Sequence, residues 1–520
     1  MKKVLITLIA TFAFCGSIFA QQYESHWPDF NMNAYEDHTD LYARVQIDGD
    51  FVGTDNYEAM EVAAFVDGEL RGATFMHSGD PVYVMARIYI NYRSDINKVA
   101  TFKLYDHANN YEYDVYTSDR VIEAFPENIF EYQDLNNPVI LSFFHAYYKE
   151  ITAYSGNGGY FLIASPLNQE VAPGDVLNMI SNNYDLYAFD QSAEDGLEWR
   201  NFKAGAFETL VAGKGYLYAN SQDVTLTFMG APYQGNGEVT LYKDDNAEFP
   251  GWNLVGNPFA ETAYIDRAFY TMNSEGSEVI AGTGNEVGDM EGIFVIAESD
   301  GETMTFSTES NPGKGQIVLN VNQDRGNVID RAIVRFSGNV LPKFMLNPNN
   351  TKLCISKDSG DFAVARSNNN GRLPVSFKPA EEGVYFINVD VENVEARYLH
   401  LIDHVECVDI DLLQNPTYKF EAKANEKPNR FELVFRTGNG HVKELFTSNA
   451  NNGFSFFSNG NWIINNEGEA ILQVVDVEGR ILSSEEINGC VSKHIEAAPG
   501  VYMLRLINGK DVKVQKIVVE

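Results

Sequence analysis

The sequence predicts an all-β protein built from tandem β-sandwich domains of Ig-like or jelly-roll-like type. Short runs rich in Val, Ile, Thr, Tyr and Phe recur along the chain, as in strands. Turn pairs such as Asp67-Gly68 and Asn508-Gly509 separate them, and such pairs favour tight hairpins. No stretch shows helical periodicity of useful length. Because 520 residues are too many for one core, we expect several domains.

The N-terminus predicts a secretory signal peptide over residues 1–20. Lys2 and Lys3 precede an apolar run at 4–14, and Ala20 is a small residue suited to cleavage before residue 21. The run is shorter than the roughly 20 apolar residues of a membrane span. Cys15 would suit a lipoprotein signal, but Phe14 stands where a small residue is usual. We expect no transmembrane segment in the mature chain.

The composition is strongly acidic, with 73 Asp and Glu against 38 Lys and Arg and a net charge of −35. Such a surface repels phosphate backbones, so we predict no nucleic-acid partner. Divalent cations are compatible with this charge. The loops at 48–50 with Asp55 and at 244–245 suit calcium, or are solvated turns, and neither has EF-hand spacing. We predict no cofactor, and leave calcium open.

The cysteines favour neither a zinc site nor a disulfide framework. Cys354, Cys407 and Cys490 remain once Cys15 leaves with the signal, and no CxxC or Cys-His cluster occurs. Pairing of Cys354 with Cys407 is left open. The fold must therefore be stabilised mainly by its apolar cores.

Patterning divides the rest of the chain into five segments. Residues 21–145 read as an N-terminal β-sandwich, with strands at 60–66 and 69–74 around the first hairpin turn. Alternating runs at 315–321 and 383–389 predict a second sandwich. The segments after the N-terminal sandwich are an all-β domain at 146–308, that second sandwich at 309–436, an Asn-, Gly-, Ser- and Thr-rich linker at 437–452, and a small domain at 453–520.

An internal repeat indicates that 146–308 has two halves. Residues 160–167 match 252–259, and two further matches follow in the same order: 186–189 with 268–271, and 213–219 with 290–296. Gly215 and Gly292 precede apolar strands in the third match. We expect them at tight turns or where backbones approach closely.

No residue pattern predicts catalysis or metal binding. His400 and His404 lie in a strand-then-turn context, where four residues span about 13 Å, too far to share one ion. The sequence contains no G-x-S-x-G, H-E-x-x-H or phosphate-loop lysine motif. Tyr111, Tyr113 and Tyr116 are read as one strand face. That face either binds a sugar or protein partner or belongs to a half-buried core.

The last 68 residues resemble the C-terminal sorting domain of the type IX (Por) secretion system. Its three parts occur in order, as Asp476-Val-Glu-Gly-Arg480, then Pro499-Gly-Val-Tyr-Met-Leu-Arg-Leu506, then Lys516-Ile-Val-Val-Glu520. The resemblance implies transport of folded cargo across the outer membrane by the type IX machinery, followed by removal of the domain. The residues it marks as the sorting signal are Asp476, Gly479, Arg480, Pro499, Gly500, Tyr502 and Lys516.

The preceding segments are similar to accessory modules of large secreted Bacteroidetes proteins. The similar runs are 64–72, 213–218, 251–259, 329–336, 398–403 and 409–413. These modules are often adhesin-like and bring no catalytic residues. We therefore expect a secreted or outer-membrane, cell-surface protein that is adhesin-like and not an enzyme, with a host protein or glycan as partner. The alternatives are a carbohydrate-binding accessory protein and a divergent extracellular hydrolase.

Overall fold

Strands make up 53% of the described chain and helical turns 3%, which confirms the all-β prediction. This computed structural model describes residues 23–27, 31–127, 131–154, 158–180, 182–194, 196–323, 326–423, 429–438, 454–458, 461–464, 466, 468–489, 491–509 and 511–519. The predicted signal peptide with Ala20, most of the predicted linker, Cys15 and Cys490 lie outside these residues. The helical turns of the described residues are 3-10 helices at Met32–Ala34, Tyr57–Ala59, Pro173–Asp175 and Phe202–Ala204.

The chain divides into two units, and the first ends at Ala146 and also includes Met229–Ala231. Its strands are β1 (Asp37–Ile47), β2 (Asp50–Phe51), β3 (Met60–Val66), β4 (Glu69–Phe75), β5 (Val84–Ile90), β6 (Ala100–Asp106), β7 (Tyr111–Tyr113), β8 (Val115–Ser118) and β9 (Val139–Phe144). One sheet has the order β2-β1-β9-β8 with β5 on β1, and the other has the order β4-β3-β6-β7. Their inner faces share one core, in which Leu41, Val62 and Phe143 are fully buried, as in a β-sandwich.

The second unit begins with two four-stranded sheets. Its first strands are β10 (Ala146–Ile151), β11 (Phe161–Ala164), β12 (Tyr184–Phe189), β13 (Trp199–Asn201), β14 (Gly215–Asn220), β15 (Val224–Met229), β16 (Glu238–Thr240), β17 (Trp252–Gly256), β18 (Ala263–Tyr264), β19 (Tyr270–Met272), β20 (Val279–Ala281), β21 (Glu286–Val287), β22 (Gly292–Ile296) and β23 (Thr303–Thr305). The four-stranded orders are β11-β14-β12-β13 and β17-β22-β19-β20, and two-stranded sheets join β10 to β15, β16 to β23 and β18 to β21. We call residues 146–234 and 235–308 the first and second half.

The two halves meet along reciprocal backbone contacts. Lys214 before β14 bridges Val255 of β17, and Glu291 before β22 bridges Ile163 of β11. A Cβ on Gly215 would lie 2.6 Å from the carbonyl oxygen of Val255. The glycine at this position therefore serves the close backbone approach that the sequence predicts.

Strand register refines the second repeat match by one residue. Tyr187 of β12 lies opposite Leu217, and Tyr270 of β19 lies opposite Phe294. Leu217 and Phe294 occupy corresponding positions, since each follows the first glycine of its strand by two residues. Tyr187 therefore corresponds to Tyr270, one residue later than the sequence match places it.

The next segment forms a single eleven-stranded sheet around one core. Its strands are β24 (Gln316–Asn322), β25 (Asp330–Arg335), β26 (Leu341–Pro342), β27 (Lys352–Lys357), β28 (Gly360–Arg366), β29 (Asn370–Lys378), β30 (Gly383–Glu392), β31 (Ala396–Asp403), β32 (Val408–Asp411), β33 (Thr417–Ala422) and β34 (Phe431–Thr437). The main order is β32-β31-β34-β29-β27-β28-β25-β24-β30-β33, and β26 pairs with β28. Phe377, Tyr385, Phe420 and Phe431 pack together in the core.

A second apolar cluster joins this sheet to the repeat halves. It contains Trp252, Tyr270 and Phe294 from the second half, Val364 from the eleven-stranded sheet, and Phe344 from the loop between β26 and β27. The ring of Phe344 stacks on that of Trp252 at 4.1 Å between centroids. The segments on either side of residue 308 therefore bury part of their apolar surface against each other.

The C-terminal residues form a small sandwich with its own core. Its strands are β35 (Ser455–Ser458), β36 (Asn461–Ile464), β37 (Glu469–Asp476), β38 (Ile481–Asn488), β39 (Val491–Lys493), β40 (Gly500–Asn508) and β41 (Asp511–Val519). The sheets have the orders β35-β36-β39 and β38-β37-β40-β41. Trp462, Leu472, Leu504 and Ile517 are among the residues buried between them.

The cysteines differ in state. Cys354 is free and buried, and burial raises the pKa of its thiol to about 12. Cys407 is disulfide-bonded. The Cys354–Cys407 pairing that the sequence leaves open is thereby excluded.

Candidate sorting surface of the C-terminal domain

The first segment of the predicted sorting signal, Asp476 to Arg480, contains the hairpin turn between β37 and β38. The Asp476 carboxylate accepts hydrogen bonds from the backbone N–H of Glu478 at 2.9 Å and of Arg480 at 2.8 Å. The Arg480 Nε donates to the same carboxylate at 2.7 Å. Gly479 has a φ of +84°, a conformation that favours glycine. The spacing of Asp, Gly and Arg is therefore what this turn requires.

The turn lowers the pKa of the Asp476 carboxyl. The backbone hydrogen bond from Arg480 lowers it most, and the side-chain bond from Arg480 adds to this effect. Both stabilise the charged form. The carboxylate consequently stays ionised, and the Arg480 side chain remains largely exposed beside it.

The second and third motifs lie on the strands beside this turn. Tyr502 of β40 lies opposite Asp476 on one side and Ile517 on the other, and its hydroxyl donates to the Ala498 carbonyl at 2.8 Å. Lys516 of β41 lies opposite Met503. The structure thus brings Asp476, Gly479, Arg480 and Tyr502 to one end of the sheet and places Lys516 one register position further.

Pro499 precedes β40 and Gly500 is its first residue, and neither has a described contact with the turn like that of Arg480. Pro499 is exposed in the segment before the strand. Because that segment makes no ladder hydrogen bonds, the absence of an N–H on proline costs nothing there. Gly500 lies opposite Val519 of β41. Their part in the motif is therefore the beginning of β40 rather than the turn.

The outer face of the four-stranded sheet is open and carries apolar side chains among the polar Gln473, Arg505 and Lys516. Alternation places Ile471, Met503, Ile507, Val512 and Val514 on the face opposite the core. Val512 is 49% and Val514 58% exposed. We call this set the outer face. Strands β38 and β41 are the two edges of the sheet as the structure describes it. An apolar face with a free edge is suited to docking and to strand addition.

The histidine pair does not form a site. His400 lies in β31, and its Nδ1 is 2.8 Å from Asp409 of β32. His404 follows the strand, and burial lowers the pKa of its imidazole. Across the described residues, no group of three or more His, Cys, Asp or Glu is placed to hold a metal ion.

Three carboxylates of the acidic loops make contacts within the protein. The Asp48 carboxylate accepts from the His145 backbone N–H at 2.9 Å and lies 2.6 Å from its Nδ1. Asp244 accepts from the Asn246 N–H at 2.9 Å, and Asp245 pairs with Lys243 at 2.9 Å. Asp48 therefore links its loop to His145, and Asp244 caps its own turn.

The tyrosine stripe is not one face. Tyr111 and Tyr113 lie in β7, while Tyr116 lies in β8 of the other sheet. Tyr113 is buried, and the other two are half-buried against the same core. The expectation of a shared strand face was wrong because the chain changes sheet between Tyr113 and Tyr116.

Sequence reasoning missed a large cleft in the repeat region. It has a volume of about 830 Å³ and is lined by residues of both halves, including Arg200, Lys214, Tyr242 and Trp252. These residues are far apart in the chain and match no motif. The internal repeat is the one sequence signal for this cleft, because two repeat halves predict a junction between them.

No protein-family model matches the sequence, and no curated protein matches it either. None of the described helices has the length and apolar character of a membrane span.

Proposed function

We propose that this chain is an exported, adhesin-like, non-catalytic protein of the cell surface, carried through the outer membrane by type IX secretion. Residues 453–520 act as the sorting domain in this proposal. Its main support is the turn in which Asp476, Gly479 and Arg480 are held together beside Tyr502. These four residues lie together at one end of the sheet, where a receptor can recognise them.

The outer face gives the export machinery a place to dock. Its exposed valines contrast with a chain of net charge −35, so this is a local apolar area on an acidic protein. The core of the domain is its own, so the domain can be recognised on any folded cargo. Lys516 lies on this face beside the apolar side chains, and a cation there is suited to an acidic contact on a receptor.

The test is export of a folded reporter fused to residues 437–520 in a bacterium with a type IX system. We expect the reporter outside the cell, and inside the periplasm when the system is deleted. D476A and K516A should each reduce export, because they remove the turn cap and the charge on the outer face. K513A is the matched control, since Lys513 is equally exposed on β41 but points to the other face.

Periplasmic retention of the wild-type fusion in the complete host would contradict the proposal. So would equal export of the D476A and K513A variants. Thermal unfolding of each purified fusion separates loss of recognition from loss of folding.

A further inference from the structure

The cleft between the two halves has a smaller counterpart on the other side of the repeat. Lys214 and Glu291 occupy corresponding positions in the reciprocal bridges, and each lines one of two cavities. The cavity at Lys214 has a volume of about 830 Å³, and the cavity at Glu291 about 230 Å³. Since the halves share one strand order, local differences must account for the larger opening.

The hydrogen bonds of Gln191 account for the larger opening at Lys214. Beside Glu291, the backbone N–H of Gly159 donates to the Glu275 carbonyl and that of Tyr160 donates to the Gly276 carbonyl, which closes the chain against itself. In the other half, the Gly251 N–H donates instead to the side-chain oxygen of Gln191 at 2.7 Å. A side chain between the two segments holds them apart, so a cleft remains.

Gln191 also fixes the backbone that carries an exposed aromatic side chain. Its side-chain nitrogen donates to the carbonyls of Tyr242 at 2.8 Å and Trp252 at 3.0 Å, while its oxygen also accepts from the Asp244 N–H. The Asn253 side chain accepts from the Tyr242 N–H at 3.0 Å and donates to its carbonyl at 2.8 Å. The Tyr242 backbone is thus fixed on both sides while its side chain is 62% exposed.

The cleft lining combines an apolar floor with positively and negatively charged side chains that can form hydrogen bonds. Buried Trp252 and Leu254 contribute to the floor. Arg200 and Lys214 are exposed and have no ion-pair partner among the residues that the structure describes. Asp190 and Glu238 each use one carboxylate oxygen in a local hydrogen bond. With four acidic and three basic residues in the lining, charge selects neither an anion nor a cation.

We propose that this cleft binds a neutral oligosaccharide. The Tyr242 ring packs on the apolar face of a sugar, Arg200 and Lys214 donate to its hydroxyls, and Asp190 and Glu238 accept from them. A hydroxyl both donates and accepts, so it matches a mixed lining better than a carboxylate or an ammonium does. Because Gln191 and Asn253 hold the Tyr242 backbone in place, less conformational entropy is lost on binding. The inference stands apart from the proposed export.

The test is calorimetric titration of the full chain with maltohexaose, cellohexaose and mannohexaose, and with hexagalacturonate and a polyglutamate peptide as charged probes. We expect at least one neutral probe to bind, and Y242A to weaken it about tenfold or more, the loss of one central aromatic contact. Y154A is the matched control, because Tyr154 is 49% exposed and lies outside the cleft lining.

A second variant keeps the test decisive. R200A/K214A removes two donors at exposed positions and should weaken the same probe with the fold intact, as judged by unchanged thermal unfolding. Absence of binding to every neutral probe would overturn the proposal, and so would tighter binding of either charged probe. Equal affinities of Y242A and Y154A for the probe would show that Tyr242 does not contact the sugar.

Discussion

The ring of Phe344 lies on the ring of Trp252 at 4.1 Å, with an angle of 13° between their planes. Both side chains are buried, and they come from opposite sides of residue 308. This contact belongs to the cluster that the second repeat half shares with the eleven-stranded sheet. The two regions should therefore support each other's stability.

Truncation of Phe344 tests that coupling. F344A should destabilise the chain by about 3–5 kcal/mol, since a buried aromatic leaves a cavity. The measurement is denaturant unfolding followed by tryptophan fluorescence, which Trp252 reports at the site. F51A is the control, because Phe51 is 40% exposed. An unchanged midpoint for F344A would show that the cluster contributes no coupling.

The buried pair of Lys343 and Asp330 gives a second prediction. The Lys343 ammonium donates to both Asp330 oxygens, at 2.7 and 2.5 Å, and both side chains are almost fully buried. K343M should cost about 3–5 kcal/mol because it leaves a buried carboxylate without that cation.

The double variant D330L/K343M should recover much of this loss, since neither charge then remains. Unfolding free energies of the single and double variants form the cycle that checks it. K203M is the control, because Lys203 and Asp185 form an exposed pair expected to contribute at most about 1 kcal/mol. Equal losses in K343M and K203M would contradict the prediction.

Asp95 predicts a loss of stability in acid. Burial raises the pKa of the Asp95 carboxyl. The Arg71 hydrogen bond, the Asn91 N–H and the Arg71 charge together lower it by more, so the net shift is downward. A depressed pKa stabilises the folded state above the unfolded value of about 3.9. That stability is lost as the pH falls through the folded pKa.

Thermal unfolding between pH 7 and about pH 2 measures this effect. D95N should be less stable than wild type at neutral pH, and the difference should shrink below about pH 4. D55N, at an exposed acidic loop position, should follow the wild-type profile. A difference between D95N and wild type that does not change with pH would exclude Asp95 as the titrating group.

Gln191 should matter for the stability of the loop that carries Tyr242. Q191A removes four hydrogen bonds and leaves the N–H groups of Asp244 and Gly251 without their acceptor, a loss of roughly 2–4 kcal/mol. Hydrogen exchange over residues 240–253 should accelerate. Q222A is the control, since Gln222 is exposed. Unaltered exchange in Q191A would mean that other contacts hold the loop.

Local patterns carried much of the fold. Strand-forming residues before the Asp67-Gly68 turn predict the strand at 60–66, and period-two alternation predicts those at 315–321 and 383–389. The structure has strands at all three places, because composition, alternation and turn chemistry are properties of neighbouring residues. The Asp476 to Arg480 turn is readable for the same reason. Its cap, its glycine and its arginine all lie within five residues.

Contacts between residues far apart in the chain could not be predicted from the sequence. The tyrosine stripe was misread because a change of sheet between Tyr113 and Tyr116 has no local signature. Nothing in the sequence around Cys354 and Cys407 predicts that the first is free and the second is disulfide-bonded.

By itself, the sequence determined an all-β chain, its internal repeat and the turn at Asp476, since each follows from short-range order. The tertiary structure alone decided that Phe344 covers Trp252 and that Gln191 holds one side of the repeat open. Both depend on which distant segments meet. That choice is made by the packing of whole sheets, and the residues near each contact do not encode it.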